Sequence, residues 1–270
     1  NKFNNIYTLE ENDLTHLTRE EYFKLLSSNP MEKLQESELS DKESIPEQQT
    51  IIEAASFTDR DWRARGVVTA VKNQGSCGSC YAFSAICTLE SALAIKTGKL
   101  TRLSEQSVVD CSTKGGNLGC RGGSLYNTFR YFMANAVALE NSYPYNGKLG
   151  QCKITGNRNQ GQISSFVRIR KGDETQLTNS ISNVGPVSLS IDARLDTLRF
   201  YKSGIYNDNR CSSTALNHGV TAVGVKSGPV PFYIIKNSWG PNWGEGGYFR
   251  LVQNQNNRCG VASDAIYPVI

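Results

Sequence analysis

The sequence predicts an α+β protein of two lobes, helical first and β-rich second. Three observations carry that expectation. Apolar residues recur at three- and four-residue spacing from about residue 79 to 98 and again around 125–133. From about residue 160 the texture changes to short β-branched and aromatic runs broken by Gly and Pro. Residues 1–54 share neither pattern and read as a unit of their own, ahead of a body spanning 55–270.

The N-terminal unit opens on Asn-Lys-Phe rather than Met, which reads as a trimmed piece of a longer precursor whose targeting segment is not in view. Thr18-Arg-Glu-Glu21 is a capping box for a short helix with Tyr22, Leu25 and Leu26 on one side. So short a helix is unstable alone and should dock on something. Leu34–Gln49 is polar, acidic and without apolar period, so it reads as an extended linker. In the body, Ala82, Ile86, Leu89 and Leu93 predict a helix from about Ser79 that Gly98 stops. Leu125, Phe129, Phe132 and Met133 predict a second. Strands are expected at Val187–Ile191, Val220–Val225, Phe232–Ile235 and Tyr248–Val252. There are no internal repeats and no low-complexity tracts.

Composition excludes several classes. A 270-residue chain that is 39% hydrophobic and 20% charged is ordinary for a soluble globular protein, and no run of apolar residues is long enough to span a membrane. The net charge of +4 hides a split: residues 1–54 carry five basic and twelve acidic residues, net −7, and the remainder is net +11. The basic residues are scattered, with no cluster interleaved with aromatics, so nucleic acid is not the expected partner. Attraction between acidic segment and basic body explains the split more simply. Eight cysteines (77, 80, 87, 111, 120, 152, 211 and 259) are many for a cytosolic protein of this size. A zinc site or a thioredoxin-like pair could use only Cys77-x-x-Cys80. A disulfide framework with some thiols left over accounts for them better, and implies a secreted, lysosomal or vacuolar compartment.

Cys80 opens the first predicted helix of the body, where the positive end of the helix dipole favours a thiolate. The chain has two histidines, His16 and His218, and His16 lies in the N-terminal unit. A lone histidine is usually a satisfied core residue, but any Cys–His chemistry in the body must use His218. His218 starts one predicted strand and Asn237 ends the next, so antiparallel pairing would bring the amide within reach of the imidazole.

Gln74-Gly-Ser-Cys-Gly-Ser-Cys80-Tyr-Ala-Phe-Ser, Asn217-His218-Gly and Asn237-Ser-Trp-Gly-Pro-Asn-Trp-Gly-Glu-Gly-Gly-Tyr resemble the active-site signatures of the papain/cathepsin L family, in order and at family spacing from about Trp62 to Pro268. The resemblance implies a papain-like fold. A helical lobe (about 65–167) and a β-barrel-like lobe (about 168–262) would flank an active-site cleft, with the termini crossing over. It implies a cysteine endopeptidase with Cys80 as nucleophile, His218 as general base and then acid, and Asn237 orienting the imidazole under the shield of Trp239. Gln74 and the Cys80 N–H would form the oxyanion hole. Family members store the site as a thiolate–imidazolium pair. Disulfides would be Cys77–Cys120, Cys111–Cys152 and Cys211–Cys259, leaving Cys80 free and Cys87 as a buried thiol. Gly122 and Gly123 would let a substrate backbone approach. Leu125, Ser190, Leu216 and Gly219, with Asn217 beside them, would wall the pocket for the second side chain before the cut, and Asp264 would sit at its floor.

No cofactor and no metal are implied. The implied partners are protein or peptide substrates, the chain's own residues 1–54 as a propeptide in the cleft, and cystatin-like inhibitors acting on a monomer. Cutting is expected near Ala54-Ala55-Ser56. Two departures stand out. Tyr81 replaces the Trp that usually follows the nucleophile, and of the family's Gly-Asn-Phe-Asp propeptide motif only Asn12 is kept among Glu10, Asn12, Leu14 and His16. A catalytically silent papain-fold binding protein is the alternative, but silent homologues typically lose the nucleophile or base and both are filled here.

Overall fold

Residues 6–26, 57–154 and 161–270 are described in the computed structural model of the chain. The acidic run Leu34–Gln49 and the expected cut at Ala54–Ser56 lie outside them. The N-terminal segment forms strand β1 (Tyr7–Leu9) and helix α1 (Arg19–Leu25). The capping box is present: the Glu21 N–H donates to Thr18 Oγ1 at 3.2 Å and the Thr18 N–H to Glu21 Oε2 at 2.8 Å. Tyr22, Leu25 and Leu26 all enter the core of the β lobe, which is how so short a helix is held.

The helical lobe is built on α2 (Cys80–Thr97), α3 (Glu105–Cys111) and α4 (Leu125–Ala134). Helix α2 ends at Gly98, whose φ of +72° is the left-handed stop expected there. Its exposed stripe is missing between Cys80 and Ser91, because the helix lies between the lobes and is buried on every side. In α4 the expected face needs one correction. Met133 is 41% exposed, and the core takes Tyr131 beside Leu125, Phe129 and Phe132. Met133 lies about 100° around the helix from Phe132 and so turns off the face that Phe132 buries.

The β lobe holds β2 (Arg60–Asp61), β3 (Ser165–Arg168), α5 (Glu174–Asn183), β4 (Val187–Ile191), α6 (Asp196–Arg199), β5 (Tyr201–Tyr206), β6 (His218–Lys226), β7 (Phe232–Lys236), β8 (Tyr248–Val252) and β9 (Ala265–Val269). The sheet runs β1-β5-β8-β7-β6-β4-β9-β3, with β2 on β6. All four expected strands are present, within two residues of the expected bounds. Strand β2 pairs with β6, and β9 places Ile266 in the helical lobe's core. Cys77–Cys120, Cys111–Cys152 and Cys211–Cys259 are bonded, and Cys80 and Cys87 are buried and outside these disulfides. With Cys77 in a disulfide, a zinc or redox use of Cys77-x-x-Cys80 is closed. No helix among the described residues is long and apolar enough to cross a membrane.

Candidate active site

Cys80 is the first residue of α2 and is buried. Strand β6 runs directly against this turn. A Cβ on Gly219 would stand 2.9 Å from the Cys80 carbonyl oxygen and 3.1 Å from the Tyr81 nitrogen, so the residue after His218 must be glycine for strand and helix to meet. Ser84 Oγ then ties α2 to β6 by donating to the Val220 carbonyl at 2.6 Å. These contacts bring His218 to the turn that carries the Cys80 thiol.

Antiparallel pairing of β6 with β7 delivers Asn237 to the imidazole. His218 Nε2 lies 2.8 Å from Asn237 Oδ1, which also accepts the Ser238 N–H at 2.8 Å. An oxygen acceptor there places a proton on Nε2 and leaves Nδ1, which makes no other hydrogen bond, for proton exchange. The Trp239 ring stacks on the imidazole at 4.7 Å between centroids and 25° between planes. Burial pushes His218 down to about 4, against the Asn237 bond, which favours the charged ring.

Gln74 is buried and held from the β lobe: its N–H donates to the Ser238 carbonyl at 2.9 Å, and its Oε1 accepts from Ser238 Oγ at 2.6 Å. That fixes which way the amide faces. Its Nε2 donates to the Cys77 carbonyl at 2.9 Å and to the Leu25 carbonyl, from the N-terminal segment, at 2.8 Å. Two residues upstream of Gln74, Lys72 is anchored on Glu105 at 2.7 Å, Glu140 at 3.1 Å and Glu90 of α2 at 3.6 Å. Lys236, just before Asn237, donates to the Thr69 carbonyl at 2.8 Å. Buried ammonium groups thus secure the chain on both sides of the site.

Among the remaining expected residues, Ser190 and Gly219 are direct partners across β4 and β6, and Ser190 Oγ donates to Asp264 Oδ2 at 2.5 Å. Asp264 is 3% exposed, and its Oδ1 has no hydrogen-bond partner. Burial raises its pKa, opposed by the Ser190 bond and the Arg168 charge. It therefore faces inward and not out to solvent. Leu216 is buried and packs on Gly260; Leu125 is fully buried at the start of α4. Asn217 spends its side-chain oxygen on the Ala193 N–H at 2.9 Å. Gly123 is needed for a local reason, since a Cβ there would stand 2.8 Å from the Tyr81 ring. Tyr81 fills the usual Trp position and donates to the Gly119 carbonyl at 3.1 Å.

Residues 57–269 match the model of the papain family of cysteine proteases. The chain belongs to the papain family. It is 47% identical over 213 residues to a cathepsin L-like protein of Caenorhabditis elegans, a match covering 78% of this chain but 63% of that protein, less than two thirds. It is 39% identical over 270 residues to rat procathepsin L, covering 98% and 78%. Among solved structures, digestive procathepsin L 3 of the Tenebrio molitor larval midgut superposes with a TM-score of 0.87 at 35% identity, covering 98% of this chain and 83% of that one. The proform of the ragweed pollen allergen Amb a 11 gives 0.89 at 33% identity, covering 100% and 76%.

For this papain-family chain the motifs pointed to Cys80, His218, Asn237 and Gln74, but they did not assign a role to Ser238 or Arg199. Ser238 sits inside a quoted motif, and its bond to a side chain 164 residues away has no local signal. Arg199 looks like any surface arginine in sequence. In the fold it is buried and donates to the Leu14 and Leu17 carbonyls of the N-terminal segment.

Proposed function

We propose that the chain is the proform of a cysteine endopeptidase of the cathepsin L type. The observation that carries this is the Asn237–His218 pair delivered by Gly219 onto the α2 turn that starts at Cys80. His218 Nδ1 takes the thiol proton, and Cys80 Sγ attacks the substrate carbonyl. The oxyanion is met by Gln74 Nε2 and the Cys80 N–H. The tetrahedral species collapses to a thioester, and His218 gives its proton to the departing amine. Water, deprotonated by His218, then hydrolyses the thioester and frees Cys80.

In the proform, residues 6–26 block this sequence. The Leu25 carbonyl takes the Gln74 donor that an oxyanion needs, and Tyr22 packs edge-on against Trp239 with centroids 5.8 Å apart. The leaving amine must face His218, so a substrate runs from the Gly122–Gly123 side toward Trp239. The segment runs from Trp239 toward Gln74, the opposite way, which puts the Leu26 nitrogen on the wrong side for protonation. While covered, the buried imidazole is favoured neutral; uncovering rehydrates it. The reading extends to protein or peptide substrates, cystatin-like inhibitors competing for the same cleft, a monomer, and a lysosomal, vacuolar or secreted setting. Its roles for Gly122, Gly123, Leu125 and Asp264 are those of a substrate cleft. The test is a thiol-directed epoxide on the acid-processed chain: one equivalent is expected to label Cys80 alone and abolish peptide hydrolysis. Labelling of Cys80 in a processed chain that never hydrolysed peptides overturns it.

A further inference from the structure

Among the described residues of the N-terminal segment, Tyr22 is the most deeply buried, with no exposed surface. Its hydroxyl donates to the Ala193 carbonyl at 2.6 Å. Its ring meets Trp239 edge-on, and the Arg199 guanidinium carbon lies 5.1 Å from the ring centroid. Arg199 is itself 5% exposed, and its Nε has no hydrogen-bond partner. The backbone of these walls is held by the body: Trp243 Nε1 donates to the Arg199 carbonyl at 2.9 Å, and Asn217 Oδ1 accepts the Ala193 N–H at 2.9 Å. The Arg199 guanidinium gives up the Leu14 and Leu17 carbonyls when the segment leaves, and keeps Asp196 at 3.9 Å and the Phe200 ring at 4.8 Å. Trp239 and the backbone walls therefore outlast the segment. The slot opens beside the catalytic base, because Trp239 stacks on His218.

Resting on the peptidase reading above, we infer that in the processed enzyme this slot selects the substrate side chain on the leaving side of the cut. It prefers tyrosine over phenylalanine, either over an aliphatic residue, and rejects lysine. A side-chain slot reads its occupant whichever way the backbone runs, so a substrate of opposite polarity can use what Tyr22 uses. The aromatic face serves both rings through Trp239 and the Arg199 cation. The carbonyl of Ala193 serves only the phenol, and one neutral hydrogen bond is worth about a three- to tenfold preference. A lysine would bring its charge against the Arg199 cation.

The self-processed chain is offered quenched peptides identical before the cut, carrying Tyr, Phe, Leu or Lys at the first or the second position after it. At one of the two positions kcat/KM is expected to fall in the order Tyr, Phe, Leu, Lys, with Tyr ahead of Phe by about three- to tenfold. In Arg199→Met the Tyr-to-Lys ratio is expected to shrink sharply; being a ratio within one enzyme, it is unaffected by how much of the variant folds or matures. Hydrolysis of all four peptides at similar rates at both positions, or a preference for Lys, overturns the slot while leaving the peptidase intact. Hydrolysis of none of them sinks the peptidase reading and the slot with it.

Discussion

The residues that carry chemistry are not equivalent. Cys80→Ala and His218→Ala are expected to abolish nearly all turnover, because nucleophile and base act as a unit. Asn237→Ala should leave measurable activity in a folded enzyme, since it removes orientation and not the base; steady-state kinetics on the three variants, each processed in trans by an unrelated protease that is then removed, decides it. Ser238→Ala is expected to lower kcat with little change in KM, and by less than the roughly 10²–10³-fold typical of losing an oxyanion donor outright, as it only lets the Gln74 amide turn. The motif residues were legible because each is announced by its neighbours in sequence. Ser238's partner was not, since it depends on chain segments meeting over a separation of 164 residues, and the inward position of Asp264 came only with the family resemblance. Asp264 has its pKa raised by burial, so it is neutral at low pH and ionises as pH rises through that raised value. Substrates with Leu at the second position before the cut should therefore gain as pH falls, and those with Arg should gain as it rises. Comparing kcat/KM for the two in wild type and Asp264→Ala tests this, and an unchanged Arg rate in the variant removes Asp264 as selector.

At the scale of elements, the contrast is between α1 and β1. Helix α1 could be read because its cap, its apolar side and its length are local properties. Strand β1 could not: three residues, Tyr7–Leu9, become a strand only because the edge of β5 is there to pair with. Helix α5 was overlooked for a related reason, its few apolar residues Leu177 and Ile181 making too thin a stripe to stand out. Pairing of β1 demands a glycine opposite. A Cβ on Gly204 would stand 2.2 Å from the Ile6 carbonyl oxygen and 2.5 Å from the Tyr7 Cα, and φ there is +98°. Gly204→Ala is thus expected to detach β1 and speed self-processing, without touching the catalytic residues. Thr18→Ala should act in the same direction through α1, by removing a cap worth about 0.5–2 kcal/mol. Time courses of processing at one acid pH compare both with wild type; rates equal to wild type would mean that neither β1 nor the cap holds the segment.

Across the whole molecule the charge split suggested that electrostatic attraction holds the segment, but the contacts distribute the work differently. Among the described residues one ion pair joins segment to body, Lys202 to Glu10 at 3.0 Å, with both side chains about half exposed. Exposed pairs of that kind contribute about 0–1 kcal/mol. Among the described residues, docking rests on buried apolar surface, on β1, and on Arg199 and Gln74 holding segment carbonyls. The acid response must then come from groups that the covered state itself perturbs. His218, covered, titrates at about 4 instead of 6.5, so the covered state holds it neutral. Its contribution to covering is complete above the ordinary value and is lost as pH falls from about 6.5 toward 4, where an uncovered imidazole would take a proton. Glu21 adds to the trend at the acid end: its bonds to Thr18 lower its pKa, and the capping box loses them once the carboxylate is protonated. Self-processing should accordingly accelerate between pH 6.5 and 4. It should change little at pH 7 when salt is raised to about 1 M, where the screening length is about 3 Å. A rate flat across that pH range removes the role assigned to His218, and strong acceleration by salt at neutral pH returns the latch to long-range charge attraction.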